Sequence, residues 1–173
     1  MEKTKRIGYL ILLGKNNYIG MVISQITQKK QGVYANTDIL SKEEVIERLK
    51  GYVPEDNIIE NNIPSRIKEW ALKIKDIREG IDRDTANIPL DLSDYTPKQK
   101  QVIEIVCKKT IVDEYRTYGD IAEQADLIGA YRFVGTTMKT CRQPWIIPCQ
   151  RVVSSTYLKR LKRKSVQFPK DIL

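Results

Sequence analysis

Three cysteines, Cys107, Cys141 and Cys149, stand in a chain of 173 residues that contains no histidine. Cys149 is the one set up for chemistry. It follows a proline at the end of an apolar run in WIIPCQRVVSS (145–155), and Gln150 and Arg151 come directly after it. The reactive form of cysteine is the thiolate, and a neighbouring cation or helix N-terminus favours it. Arg151 is such a cation. The usual base is missing, because a glutamine amide hydrogen-bonds but accepts no proton at neutral pH. At an ordinary pKa of about 8.5, only a few per cent of such a thiol ionises at pH 7. An odd, irregularly spaced set of cysteines argues against a disulfide framework. With no histidine and no CxxC pair, no metal site is expected. Cys107 lies on an apolar helix face and suits the bland alternative, a buried core thiol.

The elements that would position Cys149 are legible around it. Thr96, Pro97 and Gln99 spell a capping box with proline at the first helical position. They open a helix to about Lys109, with Val102, Ile103 and Val106 inward. Thr117 and Asp120 repeat the cap-and-acid spacing and open a short helix over about 118–125. Gly129 breaks it, and AYRFVGTTMKT (130–140) forms a third helix. Helix, turn and helix in a basic unit is the layout of a helix-turn-helix. The basic run YLKRLKRK (157–164) follows, with Leu158 and Leu161 giving it an apolar side. Its lysines and arginines suit either phosphate contacts or a solvated helix face.

The N-terminal part reads as a small α/β layer without evident chemistry. RIGYLILLG (6–14) and NYIGMVISQI (17–26) flank GKNN as a hairpin, and QGVYANTDIL (31–40) adds a strand. Ser41 and Glu44 cap a helix that Gly51 ends. Ile67, Trp70, Ala71, Ile74 and Ile77 recur at helical spacing in 64–80. Residues 81–95 read as a connection. The expected domains are 1–90 and 91–173.

At 41% hydrophobic and 30% charged, the chain can bury a core. No apolar run approaches the roughly 20 residues that span a bilayer. MEKTKRIGYLILLGK lacks a small-residue cleavage site and reads as a strand. The expectation is an intracellular protein, in cytoplasm, nucleoid or nucleus, without membrane contact. The net charge of +8 is unevenly spread. Residues 1–95 balance 15 Lys+Arg against 15 Asp+Glu, while 96–173 carry 15 against 7. That asymmetry suits a polyanionic partner such as nucleic acid, or a merely solvated basic surface.

TYGDIA (117–122), YRFVGTTMK (131–139) and PWIIPCQRVV (144–153), in that order, resemble the hallmark blocks of the O6-alkylguanine-DNA alkyltransferase family. LDLSDYTPKQKQVIEIV (90–106) resembles the lead-in to its C-terminal domain. The resemblance implies an α+β protein: a ribonuclease-H-like N-terminal α/β domain, then a mostly helical winged helix-turn-helix. It implies direct-reversal repair, in which a monomer without cofactor binds double-stranded DNA and moves an alkyl group from O6-alkylguanine to Cys149, once. Gln150 and Arg151 fall at the catalytic positions beside it. Tyr118 would lie at the flipped nucleotide's phosphate and Arg132 would fill the vacated stack. Thr117, Gly135 and Lys139 join them on the DNA-binding surface. The chain departs from the family pattern in several places. Gln150 replaces the histidine, Cys141 replaces an asparagine, and Phe133, Thr136 and Thr137 replace small residues. Gly135 is the last glycine, and the tail has no glutamate. Two alternatives stay open: a lesion-binding protein without transfer, and a basic helix-turn-helix regulator.

Overall fold

The computed structural model describes residues 4–82, 87–110 and 114–164. They form two compact units. The first holds residues 4–77, 87–92 and 142–146, and the second holds the remainder.

The first unit is built on strands β1 (Lys5–Gly14), β2 (Asn17–Gln25), β3 (Gln31–Asn36) and the short β4 (Ile58–Ile59). They make one sheet in the order β3-β2-β1-β4, antiparallel except for β4, which runs parallel to β1. Lys15 and Asn16 at the β1–β2 turn both take positive φ, 36° and 66°, the twist a two-residue hairpin needs. Helix α1 (Lys42–Lys50) is capped by the reciprocal Ser41–Glu44 box and ended by Gly51. Helix α2 (Ser65–Arg78) buries Ile67, Trp70, Ala71, Ile74 and Ile77, the residues its spacing picked out.

Alternating small and large residues decide how α1 meets the sheet. Leu10 pairs with Gly20 and Gly8 with Val22. A Cβ on Gly20 would stand 2.8 Å from Val45 Cγ1 and 2.9 Å from Leu49, and one on Gly8 would stand 3.0 Å from Val53 Cγ2. Leu49 therefore seats beside two missing side chains, in a core with Leu10, Val22, Tyr34, Ala35, Val45 and Val53. Strand β3 is shorter than the expected 31–40. The strand ends at Asn36, after which Thr37 still bonds Gly20 of β2 and Leu40 returns through an isolated bridge to Tyr18.

The second unit holds α3 (Pro97–Lys109), β5 (Arg116–Thr117), α4 (Tyr118–Gln124), α5 (Tyr131–Lys139), β6 (Val152–Val153) and α6 (Ser155–Lys164). Helices α3, α4 and α5 pack on one another. Both expected capping boxes are formed, Thr96 with Gln99 and Thr117 with Asp120. Helix α4 ends at Gln124, within a residue of the expected span of about 118–125, and Gly129 follows at φ 82°. Just past the Ala125 cap, Asp126 sits in the left-handed region at φ 56°. There the Asp126 N–H reaches the Glu123 carbonyl at 3.1 Å and the Leu127 N–H reaches that of Ala122 at 2.8 Å. This is the double closure that usually uses glycine. Aspartate is among the few residues that tolerate it. Cys107 is exposed on α3, which corrects the expectation of a core thiol. The apolar stripe that fills the core is Val102, Ile103 and Val106.

Among the described residues, no helix is long and apolar enough to cross a membrane.

Candidate functional site

Cys149 sits on a short 3-10 turn, Cys149–Arg151, that leads into β6. The proline before it makes the bend. Pro148, at φ −75° and ψ 50°, lets the Cys149 N–H reach the Ile147 carbonyl at 2.7 Å. That is an inverse γ-turn, a device of strand ends and loop starts. β6 then pairs in parallel with β5, Arg116 with Val152 and Thr117 with Val153. The Cys149 turn and the start of α4 thus share one small ribbon.

The segment leading to Cys149 is held in the first unit. Gln143 is fully buried, and its amide nitrogen donates to the carbonyls of Val33, Tyr34 and Asp91 at 3.3, 2.8 and 3.1 Å. Asn36 donates to the Arg142 carbonyl through its backbone and to the Pro144 carbonyl through its side chain. Trp145 is buried with φ at 73°, an uncommon conformation for a bulky residue.

The electrostatics around Cys149 replace a histidine only in part. The Cys149 thiol donates to Gln150 Oε1 at 3.8 Å, an interaction available only to the protonated form. Gln150 Nε2 is buried without a partner among the described residues. The pKa of Cys149 is lowered, first through the hydrogen bond it shares with Cys141. Burial opposes this, and the backbone amides of Cys149 and Gln150 add to the lowering. Arg151, expected as the helpful cation, is buried with its guanidinium 4.8 Å from the Tyr115 ring centre. Cys107 behaves oppositely to Cys149. Desolvation, then the nearby Cys149 and Glu104 charges, push its thiol up to about 11. Its exposure and its desolvated sulfur pull in different directions. The exposure rules it out of the core, and the direction of the shift keeps it a neutral thiol at pH 7.

The other site residues gather on α4 and α5. Tyr118 is half-buried at the start of α4, its ring against Gly135. Thr117 spends its hydroxyl on the cap, accepting the Asp120 amide at 3.1 Å. Arg132 and Lys139 are exposed on α5, with the Arg132 guanidinium 5.9 Å from the Tyr131 ring centre. The larger residues of α5 are absorbed within the unit. Thr137 is buried, Phe133 is half-buried, and the Thr136 and Thr137 hydroxyls fold back on the carbonyls of Arg132 and Phe133. Cys141 joins the site although its sequence neighbours do not mark it as a site residue. Its one signal is a thiol placed just past the end of α5, where a following turn returns to meet it.

This arrangement has the fold of O6-methylguanine methyltransferases of known structure. The Mycobacterium tuberculosis protein superposes with a TM-score of 0.61 at 18% identity, covering 88% of this chain and 81% of that one. The Pyrococcus kodakaraensis protein superposes with a TM-score of 0.59 at 24% identity, covering 87% of each. Residues 97–168 match the family described as the 6-O-methylguanine DNA methyltransferase DNA-binding domain. Relatives named methylated-DNA–protein-cysteine methyltransferase, from Methanocaldococcus vulcanius and Methanocaldococcus jannaschii, are each 30% identical, over 143 and 154 residues. They cover 82% and 86% of this chain and 80% and 82% of their own. The chain belongs to the methylated-DNA–protein-cysteine methyltransferase family.

Proposed function

We propose that the protein repairs DNA by direct reversal, taking an alkyl group from O6 of guanine in duplex DNA onto Cys149 and keeping it. The observation that carries this is the placement of Cys149: a half-buried thiol on the turn after Pro148, leading into a strand that pairs with β5 at the start of α4. The thiolate attacks the alkyl carbon in line, the C–S bond forming as the C–O6 bond breaks. The electron pair stays on the guanine, which takes up one proton. The thiol has released one to solvent, so protons balance. No cofactor takes part, and each molecule acts once.

Duplex DNA would lie along α4 and α5. Extracting a base costs a few kcal/mol. Arg132, exposed near the start of α5, is the side chain to fill the gap, and Tyr118 the one to stand at the rotated phosphate. Lys139 adds a cation at the far end of α5. Gly135 supports Tyr118, and Thr117 fixes the start of α4. We read the first unit as ribonuclease-H-like and the β5–β6 ribbon as the wing of a winged helix-turn-helix, with a monomer as the working form.

Gln150 favours one second reading, a lesion binder that does not transfer, because its amide oxygen holds the thiol proton and cannot remove it. Intact mass after incubation with O6-methylguanine duplex decides between them. One added methyl group, absent in Cys149→Ala, supports repair. Selective binding without a mass gain supports the second reading.

A further inference from the structure

We propose that Gln150 turns its carboxamide as Cys149 ionises, giving up the S–H it accepts through Oε1 and donating an Nε2–H hydrogen bond to the thiolate. Oε1 stands 3.8 Å from the Cys149 sulfur and accepts the thiol proton. At the other end of the same amide, Nε2 is buried with no partner among the described residues. An unmet buried donor is costly and calls for an explanation. The explanation is an acceptor that carries its charge only during the reaction, and the sulfur of Cys149 is that acceptor. The last side-chain torsion of glutamine is broad and roughly two-fold. A half-turn about it exchanges Oε1 and Nε2 and leaves the backbone where it is. Nε2 then occupies the place beside the sulfur that Oε1 held.

Each orientation suits one state of the sulfur. The thiol has a proton to offer and needs an acceptor. The thiolate has none and needs a donor. Hydrogen bonds to an ionised partner are roughly twice as strong as neutral ones. Cys149 is half-buried, so water competes weakly for the anion and the bond strengthens again. Held as an acceptor, the amide opposes ionisation; turned, it supports the anion and takes up no proton. The proton that Cys149 loses goes to solvent, and Nε2 keeps both of its own. Cys141 also faces the sulfur and shares a hydrogen bond with it. Cys107 is neutral at pH 7, its thiol pushed up to about 11 chiefly by burial. The Arg151 guanidinium lies 4.8 Å from the Tyr115 ring centre. The proposal deepens the repair reading, on which its consequence for methyl transfer rests. Its effect on Cys149 does not depend on DNA.

The test uses the full chain, with iodoacetamide as the probe of the sulfur and the side-chain amide protons of Gln150, observed by NMR and assigned through its backbone, as the probe of the amide. The rate of Cys149 alkylation is followed against pH by peptide mass in the wild type and Gln150→Met, with thermal melts to verify folding. Methionine matches the length and has no N–H. Its midpoint should rise by on the order of one pH unit, a roughly tenfold loss of thiolate at pH 7. An amide that only accepts gives the opposite sign, because removing it frees the thiol proton. An apolar side chain also raises the midpoint, so the amide is followed directly. One Nε2 proton in the wild type should move downfield at the pH midpoint of Cys149 alkylation, and neither should move in Cys149→Ser. A midpoint that falls or stays in Gln150→Met, or amide protons that do not move through the Cys149 midpoint, overturns the proposal. Methyl transfer from O6-methylguanine duplex is measured alongside. If the wild type transfers nothing while the amide follows Cys149 as expected, the repair reading fails and the role of Gln150 at the thiolate stands. If transfer occurs and the amide does not move, the reverse holds.

Discussion

The ring of Tyr118 rests on the bare backbone of Gly135. A Cβ at Gly135 would stand 3.3 Å from Tyr118 Cε2 and 3.4 Å from Cδ2. Tyr118 opens α4 and Gly135 lies within α5, so the close approach of the two helices depends on a side chain that is not there. Glycine in a helix interior costs about 1 kcal/mol relative to alanine. In Gly135→Ala the better helix propensity and the tighter packing oppose each other, and little net change is expected. Gly135→Val has a branched side chain to place against the ring and should lose about 1–3 kcal/mol of stability. Urea unfolding measures it, and an unchanged midpoint in the valine variant would show that the ring moves freely.

The three cysteines should react with iodoacetamide in an order that ionisation sets and exposure opposes. Cys107 is exposed, but its thiol is pushed up to about 11, so about one part in ten thousand is thiolate at pH 7. Cys149 is less exposed, but its pKa is lowered. A lowered pKa keeps the anion present as pH falls, so the Cys149 advantage is greatest near neutrality. It narrows above the ordinary cysteine pKa. Peptide mass after brief labelling at pH 7 should find Cys149 modified well before Cys107. Labelling of Cys107 first would refute the assignment.

Gln150 can be altered in two opposite senses. Gln150→Glu puts a carboxylate where the amide oxygen accepts the thiol at 3.8 Å. Like charge disfavours the thiolate, so the pKa of Cys149 should rise by on the order of one unit and transfer at pH 7 should slow about tenfold. Gln150→His restores a base and should speed transfer by up to roughly a hundredfold, the lower end of general-base contributions. Single-turnover rates with O6-methylguanine duplex measure both. A histidine variant no faster than wild type would mean that thiolate formation does not limit the reaction.

Thr117 is a candidate for touching DNA by motif, yet its hydroxyl accepts the Asp120 amide while the Asp120 carboxylate accepts the Thr117 amide. Thr117→Ala should therefore cost about 1 kcal/mol of stability, whereas Thr117→Ser should cost less. Duplex binding at a temperature where both variants are folded tests what remains. Weaker affinity in the alanine variant without a fall in stability would point to a direct interaction with DNA instead.

What the sequence made legible was local. Capping boxes at Ser41, Thr96 and Thr117 fix helix starts because donor and acceptor lie three residues apart, and all three are formed. The α2 stripe was equally plain, because one helix face repeats at a constant spacing. The end of α4 was legible to within a residue, but the left-handed Asp126 that closes it was not, since aspartate leaves a weaker mark than glycine. The site divided in the same way. Cys149 stood out through its neighbours in sequence. Cys141 stood out only as a departure from the family pattern, because Cys149 lies eight positions further along the chain. The Arg151 side chain also depended on tertiary context, for nothing in PCQR anticipates Tyr115 as the surface it covers.

Helix α6 concentrates charge in a way that a salt titration can read. Tyr157 and Leu158 are half-buried and Leu161 is buried, while Lys159, Arg160, Lys162 and Arg163 are exposed. The helix contains no acidic residue, so these cations have no counter-charge on their own element. A phosphate backbone would supply one, releasing its condensed counterions as it bound. Replacing the four together (Lys159→Gln, Arg160→Gln, Lys162→Gln, Arg163→Gln) leaves the inward face untouched and should leave the rate of Cys149 alkylation by iodoacetamide unchanged. The slope of log affinity for duplex DNA against log salt should become shallower by about 0.9 for each phosphate that is no longer neutralised. Weaker binding with an unaltered slope would mean that α6 acts by supporting the unit rather than by touching DNA. An unaltered affinity would mean that the charge is solvated surface.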